Sequence, residues 1–306
     1  MRKRRVWTLQ NKLAELRNWL EDTGNTMRLR DKPRKQIEDD LGRSHKSLRE
    51  KYGPISIRLG FLATWYSKRG AGTVLCADTS GWKNLSLGLH YKSWGIRLRF
   101  ALMDREGSYD RSPLTCSLLY SEEREPHWLA EILATGEDTL ANGLGKQLVQ
   151  NFKRTGGGDK VYFYTVPFAP FMFKLYCLWV GQEVTFRDDV PDPLGPYQSL
   201  IDAWNDPDEF PKQLLKACDY HCEQTFDDPK GYPAFTWMPY NVFPVEILAI
   251  QRVRRDLGLP TPEIEHPLLE SPLAHPPATL PEVHDELLDK VIAQVKVDFP
   301  EIGNPW

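Results

Sequence analysis

Residues Pro54 to Gly70 read PISIRLGFLATWYSKRG. Proline in a first turn, a run without strand-like alternation and a closing glycine predict a helix from Pro54 to Gly70. The segment is apolar over much of its surface, which places it in a core. On its N-terminal side, VWTLQNKLAELRNWLED (6–22) spaces Leu9, Leu13, Leu16 and Leu20 at threes and fours, one apolar stripe. PRKQIEDDLGRSHKSLREKYG (33–53) continues with Ile37, Leu41 and Leu48 and is expected to end at Gly53-Pro54. On its C-terminal side, residues 71–107 keep helical spacing through Leu85, Leu89 and Leu98, although their glycines weaken the pattern.

The second half has the same character. Helices are expected over Pro126–Ala134, Thr139–Phe152, Pro170–Val180, Tyr197–Asn205, Asp208–Thr225, Val242–Leu257 and Pro281–Val297, separated by turn clusters such as TGGGD and DDPKGYP. Strict alternation is scarce, and DKVYFYTV (159–166) is the only serious strand candidate. The expected fold class is therefore all-α: two packed helical modules with at most a minor strand element. The polar break DREGSYDRSP (104–113) is the best domain linker. It divides the chain into an N-terminal module (1–108), a C-terminal module (109–275), and a connector with a last helix (276–306). Proline-rich residues Ser271–Pro281 are expected as a surface connector.

Composition narrows the function classes. The chain of 306 residues has five cysteines, an odd and scattered set that forms no disulfide framework and suits a reducing cytoplasm. The basic N-terminus is not followed by an apolar run, so it is not expected to act as a secretory signal. The apolar stretch YFYTVPFAPFMFKLYCLWVG (162–181) carries two prolines and Lys174, so it reads as a buried helix and not a membrane span.

The stretch KACDYHCEQT (216–225) places Cys218, His221 and Cys222 on one helical face. Three such ligands could hold part of a zinc site, but no second knuckle accompanies them and the order is not that of haem attachment. The stripe Leu214, Leu215, Cys218, Cys222, Thr225 instead predicts a packed face with His221 at its margin. TGGGDK (155–160) lacks the spacing of a phosphate loop, and neither a dinucleotide fingerprint nor a nucleophile elbow occurs. No constellation argues for an enzyme, a cofactor or a bound metal.

Charge is unevenly distributed. Residues 1–180 hold 30 Lys and Arg against 19 Asp and Glu; residues 181–306 hold 9 against 23. Such asymmetry points to a charged partner or to attraction within the chain. Basic RKRR (2–5) with Arg28, Arg30, Arg34 and Lys35 could meet phosphates.

Three segments carry a family resemblance. YGPISIRLGFLATWYSKRG (52–70) resembles the N-terminal-module helix of bacterial polymorphic nuclease immunity (PoNi) proteins. LGPYQSLIDAWNDPDEFPKQLLKACDYHCEQT (194–225) and YNVFPVEILAIQRVRRDLGLPTPEIEHPLLESPL (240–273) resemble its C-terminal module, where a helix with an internal glutamate precedes a Leu-Gly turn. Pro244, just before Glu246, departs from the small helix formers that family prefers. The resemblance implies a cytoplasmic, two-module helical protein that binds and silences a cognate toxin, delivered by a neighbouring cell through a contact-dependent or type VI secretion route.

A nuclease toxin offers a basic cleft, so carboxylates should form the docking face. The candidate toxin-binding residues are Asp202, Asp206, Asp208, Glu209, Asp219, Glu223, Asp227 and Asp228. Asp219 and Glu223 should face away from the Leu214/Cys218/Cys222 stripe, and Glu246 is expected as a buried, hydrogen-bonded carboxylate. The expected partner is a toxin effector domain and not a membrane. A nucleic-acid-binding helical protein is the alternative, and self-association is left open.

Overall fold

The computed structural model describes residues 7–106, 125–158, 163–226 and 233–302. The chain is all-α, and no strand occurs among the described residues. Of the strand expected over 159–166, the first four residues lie outside the described set, and Phe163–Val166 forms turns and bends. Of the expected linker 104–113, residues 104–106 continue a helix and the rest lies outside the described residues.

Contacts divide the chain into two compact units. An N-terminal unit comprises Leu13–Ser117 with Leu280–Trp306; a central unit comprises Leu118–Thr279 with Met1–Lys12. The last helix is thus no separate element: its apolar side closes the core of the N-terminal unit.

The N-terminal unit contains α1 (Leu9–Glu21) from Leu13 onward, α2 (Thr23–Thr26), a π-helical turn (Met27–Asp31), α3 (Lys32–Gly42), α4 (Leu48–Leu75), α5 (Gly81–Glu106) and α12 (Glu286–Asp298). Pro54 and Gly70, expected as the start and stop of one helix, both lie inside α4. Its true start is Ser47, whose hydroxyl accepts from Glu50 N (3.2 Å) while the Glu50 carboxylate accepts from Lys46 N (3.0 Å). That reciprocal cap satisfies two amides that the helix leaves unpaired.

Gly70 is a contact point rather than a terminator. The glycines of α5 recur every seven residues, at Gly81, Gly88 and Gly95, and so share one face. A Cβ on Gly70 would sit 2.7 Å from the Gly81 carbonyl; one on Gly88 would sit 2.7 Å from Ser67 Oγ; one on Gly95 would sit 3.1 Å from the Ser56 carbonyl. The two longest helices therefore form an antiparallel hairpin whose backbones touch along a seam of small residues. Each helix glycine costs about 1 kcal/mol against alanine, and close backbone packing offsets it.

Tyr52, Ile55, Leu59 and Leu62 of α4 bury against Tyr91, Trp94 and Leu98 of α5, with Leu287, Val291, Val295 and Phe299 of the C-terminal segment. Three ionic contacts fasten that segment. Arg34 donates to Asp285 Oδ2 (2.7 Å), Lys51 pairs with Asp298 (2.9 Å), and Arg105 pairs with Glu301 (2.8 Å). Much of the charge asymmetry is spent here: the N-terminal unit holds 21 Lys and Arg against 18 Asp and Glu, the central unit 18 against 24.

The central unit contains α6 (125–135), α7 (Asp138–Arg154), α8 (Phe168–Trp179), α9 (Gln198–Asp202), α10 (Phe210–Glu223) and α11 (Val245–Asp256). Within the apolar stretch 162–181 lies α8, 12 residues long with Phe168 to Cys177 buried except Lys174. Its length of about 18 Å is well short of a bilayer core, and no helix among the described residues is long and apolar enough to cross a membrane. The start of the expected surface connector is buried instead. Ser271 and Leu273 are fully enclosed and Ala274 nearly so, in short 3-10 turns at Pro267–Glu270 and Pro272–Ala274.

Candidate functional site

The segment 202–223 carries six of the eight candidate carboxylates on two helices and the turn between them. Asp202, Asp206, Asp208, Asp219 and Glu223 are exposed, and Glu209 is half-buried. Asp227 and Asp228 lie outside the described residues.

The turn from α9 into α10 is built by its own acids. Asp206 Oδ1 accepts from the amides of Asp208 (2.9 Å) and Glu209 (3.0 Å), an Asx-type turn. Those two amides, Glu209's foremost, hold the Asp206 carboxyl below its ordinary pKa. Glu209 accepts from Lys212 Nζ (2.8 Å) and from Gln213, and these partners likewise lower its pKa. Asp202 accepts from Gln198 (2.8 Å). Asp206 and Glu209 therefore shape the surface as much as they charge it. Asp208 makes no side-chain hydrogen bond among the described residues.

Beneath this turn lies Arg254 of α11, 2% exposed. Its guanidinium donates to the carbonyls of Trp204 and Pro260 (the latter 2.9 Å) and stacks 3.6 Å from the Phe210 ring centroid. Burial lowers its pKa. Trp204 and Phe210 meet edge to face at 5.6 Å. A cation under the backbone and two aromatic rings fix where the acidic turn points.

The far end of α10 is held from inside. His221, expected at the margin of the packed face, has no exposed side-chain surface. Its Nδ1 lies 2.7 Å from Glu246 Oε1 of α11, and Glu246 is equally enclosed. The imidazole stacks on Phe235 at 4.2 Å. Glu246 is thus the buried, hydrogen-bonded carboxylate its apolar surroundings predict. The charge of Glu246, added to the larger effect of burial, pushes up the pKa of Tyr197, Tyr220 and Cys218, and that of Cys222 to about 12. His221 Nε2, Glu246 Oε2 and the Tyr197 hydroxyl have no partner among the described residues.

Cys218 is fully buried and Cys222 half-buried, both as free thiols. Among the described residues no group of three or more His, Cys, Asp or Glu side chains is arranged to hold a metal ion. With thiol pKa values driven up by burial, these cysteines pack as small apolar groups.

Asp219 and Glu223 do face away from the Leu214/Cys218 stripe. Asp219 Oδ1 lies 3.3 Å from His266 Nε2, with Asp219 largely exposed and His266 mostly covered. His266 Nδ1 accepts from Leu268 N (3.1 Å), which leaves its Nε2–H to donate to Asp219. Two contributors leave no local signal in the sequence, Arg254 and a buried polar group on α6, and, among the described residues, His266 serves the acidic face as a hydrogen-bond donor and not as a metal ligand. In the α6 group, Tyr240 donates to Glu131 (2.6 Å), and His127 Nε2 lies 2.7 Å from the Ala234 carbonyl. The long-range partners, Trp204 of Arg254, Asp219 of His266 and Glu131 of Tyr240, are 50, 47 and 109 residues away in sequence, so periodicity carries no trace of them.

Of the basic residues considered for phosphate, Arg34 is committed to Asp285, and residues 2–5 lie outside the described set. No family model matches this chain, and no curated protein and no solved structure matches it either.

Proposed function

We propose that this chain is an inhibitory interaction protein of the immunity type, which seats a positively charged toxin domain on the carboxylate face of α9 and α10. A nuclease domain, with its phosphate-binding cations, is the partner class this face fits best. One observation carries the reading. Five carboxylates are exposed along a segment whose opposite side is pinned by Arg254 and by the His221–Glu246 pair. Such a face presents negative charge at fixed positions, so little ordering entropy is lost on docking, and opposite charge accelerates encounter. The reading requires no turnover and no cofactor; His221 and Glu246 act as an internal tie, since no reactant reaches a fully enclosed pair.

The test reverses charge at two exposed carboxylates on the outer face of α10. D219K/E223K in the full chain should fold normally and lose affinity for the toxin domain and protection against it. Unchanged affinity in that double variant removes the C-terminal half of α10 from the interface.

A further inference from the structure

A second charged feature lies in the N-terminal unit, where α1, the π-helical turn and α4 meet. The Lys68 ammonium sits over the Trp19 ring, 4.4 Å from its centroid. The Trp19 carbonyl accepts from Asn25 Nδ2 (3.0 Å), and Asn25 Oδ1 in turn accepts from the Arg28 guanidinium (2.9 Å). Arg30 lies over the Trp65 ring at 4.7 Å, and the Trp65 indole N–H reaches Thr26 Oγ1 (3.4 Å). These links hold three cations and two indoles on one surface, around a π turn of the kind often found at functional positions.

The charges there are unequally balanced. Arg30 has Asp31 at 2.7 Å, and Asp22 is turned to the Gly24 amide. Lys68 and Arg28 have no carboxylate partner among the described residues. Burial of Lys68, then the neighbouring Arg28 charge, brings the Lys68 pKa down to about 8. Holding a half-buried ammonium beside a like charge, with no counter-ion, is unfavourable for the isolated fold. An anion between them reverses that.

We propose that Lys68 and Arg28, with Arg30 at the edge, form a binding site for a phosphate group, flanked by the Trp19 and Trp65 rings. Guanidinium and ammonium together suit a tetrahedral oxyanion, and the Trp19 and Trp65 rings hold Lys68 and Arg30 in position beside it. The site lies in a different unit from the carboxylate face and stands or falls separately from it.

The experiment titrates the full-length chain with inorganic phosphate and, separately, with a short single-stranded oligonucleotide, by calorimetry at several salt concentrations. R28Q and K68M are compared with the wild type and with D219K/E223K. Saturable binding of either probe, weakened roughly tenfold or more by R28Q and by K68M but kept in D219K/E223K, supports the site. Binding of phosphate alone identifies a small phosphorylated ligand. Tighter oligonucleotide binding, with a salt slope shallower by about one in each variant, identifies a nucleic-acid backbone. Because Arg28 is exposed, R28Q serves even if K68M unfolds. No binding of either probe by the wild type, or equal affinity in folded R28Q, overturns the proposal.

Discussion

His221 Nδ1 lies 2.7 Å from Glu246 Oε1, with neither side chain exposed, and this contact ties the far end of the acidic helix α10 to α11. A buried pair of this kind is expensive to break and cheap to replace. Removing one partner strands the other and costs about 3–5 kcal/mol, whereas an apolar pair of similar volume is close to neutral. H221F and E246L singly should each lower the denaturant midpoint strongly. The double variant H221F/E246L should recover much of the loss. Additive losses in the cycle would show that the two residues do not act as a unit.

The C-terminal helix should detach with acid. Burial alone would raise the Asp285 pKa, but hydrogen bonds from Arg34 and Tyr91 more than offset it and hold it below the ordinary value. Asp298 is held low in the same way by Tyr52 and Lys51 against a burial effect of opposite sign. A depressed carboxylate pKa stabilises the fold above the unfolded value of about 3.9 and ceases to do so as pH falls through the folded value. Stability of the N-terminal unit should therefore fall below about pH 4. D285N and D298N should be less stable at neutral pH and show a flatter acid limb. Chemical denaturation from pH 7 to pH 2.5 measures both, and parallel curves for wild type and D285N would count against the lock.

The α4–α5 seam gives opposite signs for two glycines on one helix. G70A places a methyl group against the Gly81 carbonyl and Leu85, so it should cost about 1–3 kcal/mol through overpacking. G60A, also inside α4, meets nothing within 4 Å. It should stabilise by about 0.5–1 kcal/mol by restricting the unfolded chain. Thermal melts of the two variants suffice, and a stabilising G70A would refute the seam.

How far these features were legible in the sequence depends on their range. Leucine spacing in residues 6–22 and the apolar run before Lys174 marked α1 and α8, because amphipathicity is local. The glycines of α5 looked like interruptions, although their seven-residue spacing marks a packing face once a partner helix is known. Pro54 and Gly70 look like boundaries for the same reason, while the Ser47–Glu50 cap holds the real start. At the candidate site, exposure of Asp219 and Glu223 followed from the Leu214/Cys218 stripe. The burial of His221 did not, since a histidine's place in a core is decided by a carboxylate 25 residues away. Part of the charge asymmetry is attraction within the chain, the second of the two explanations the sequence offers: Asp285, Asp298 and Glu301 pair with cations of their own unit.

Within the carboxylate face, two classes of acid should separate. D206A removes the acceptor for two turn amides and should lower the melting midpoint, because those amides lose their partner. D208A, with no such bond, should leave the midpoint unchanged and weaken only partner binding. Equal midpoints for the two variants would mean that the turn is held without Asp206.

The most direct measurement is a calorimetric titration of the full chain with a basic nuclease toxin domain of the proposed partner class, repeated with D219K/E223K at low and moderate salt. A tight one-to-one complex is predicted, its affinity falling as salt rises and collapsing in the folded double variant. Absence of a complex, or an affinity indifferent to salt and to both reversals, would contradict a carboxylate docking face on α10.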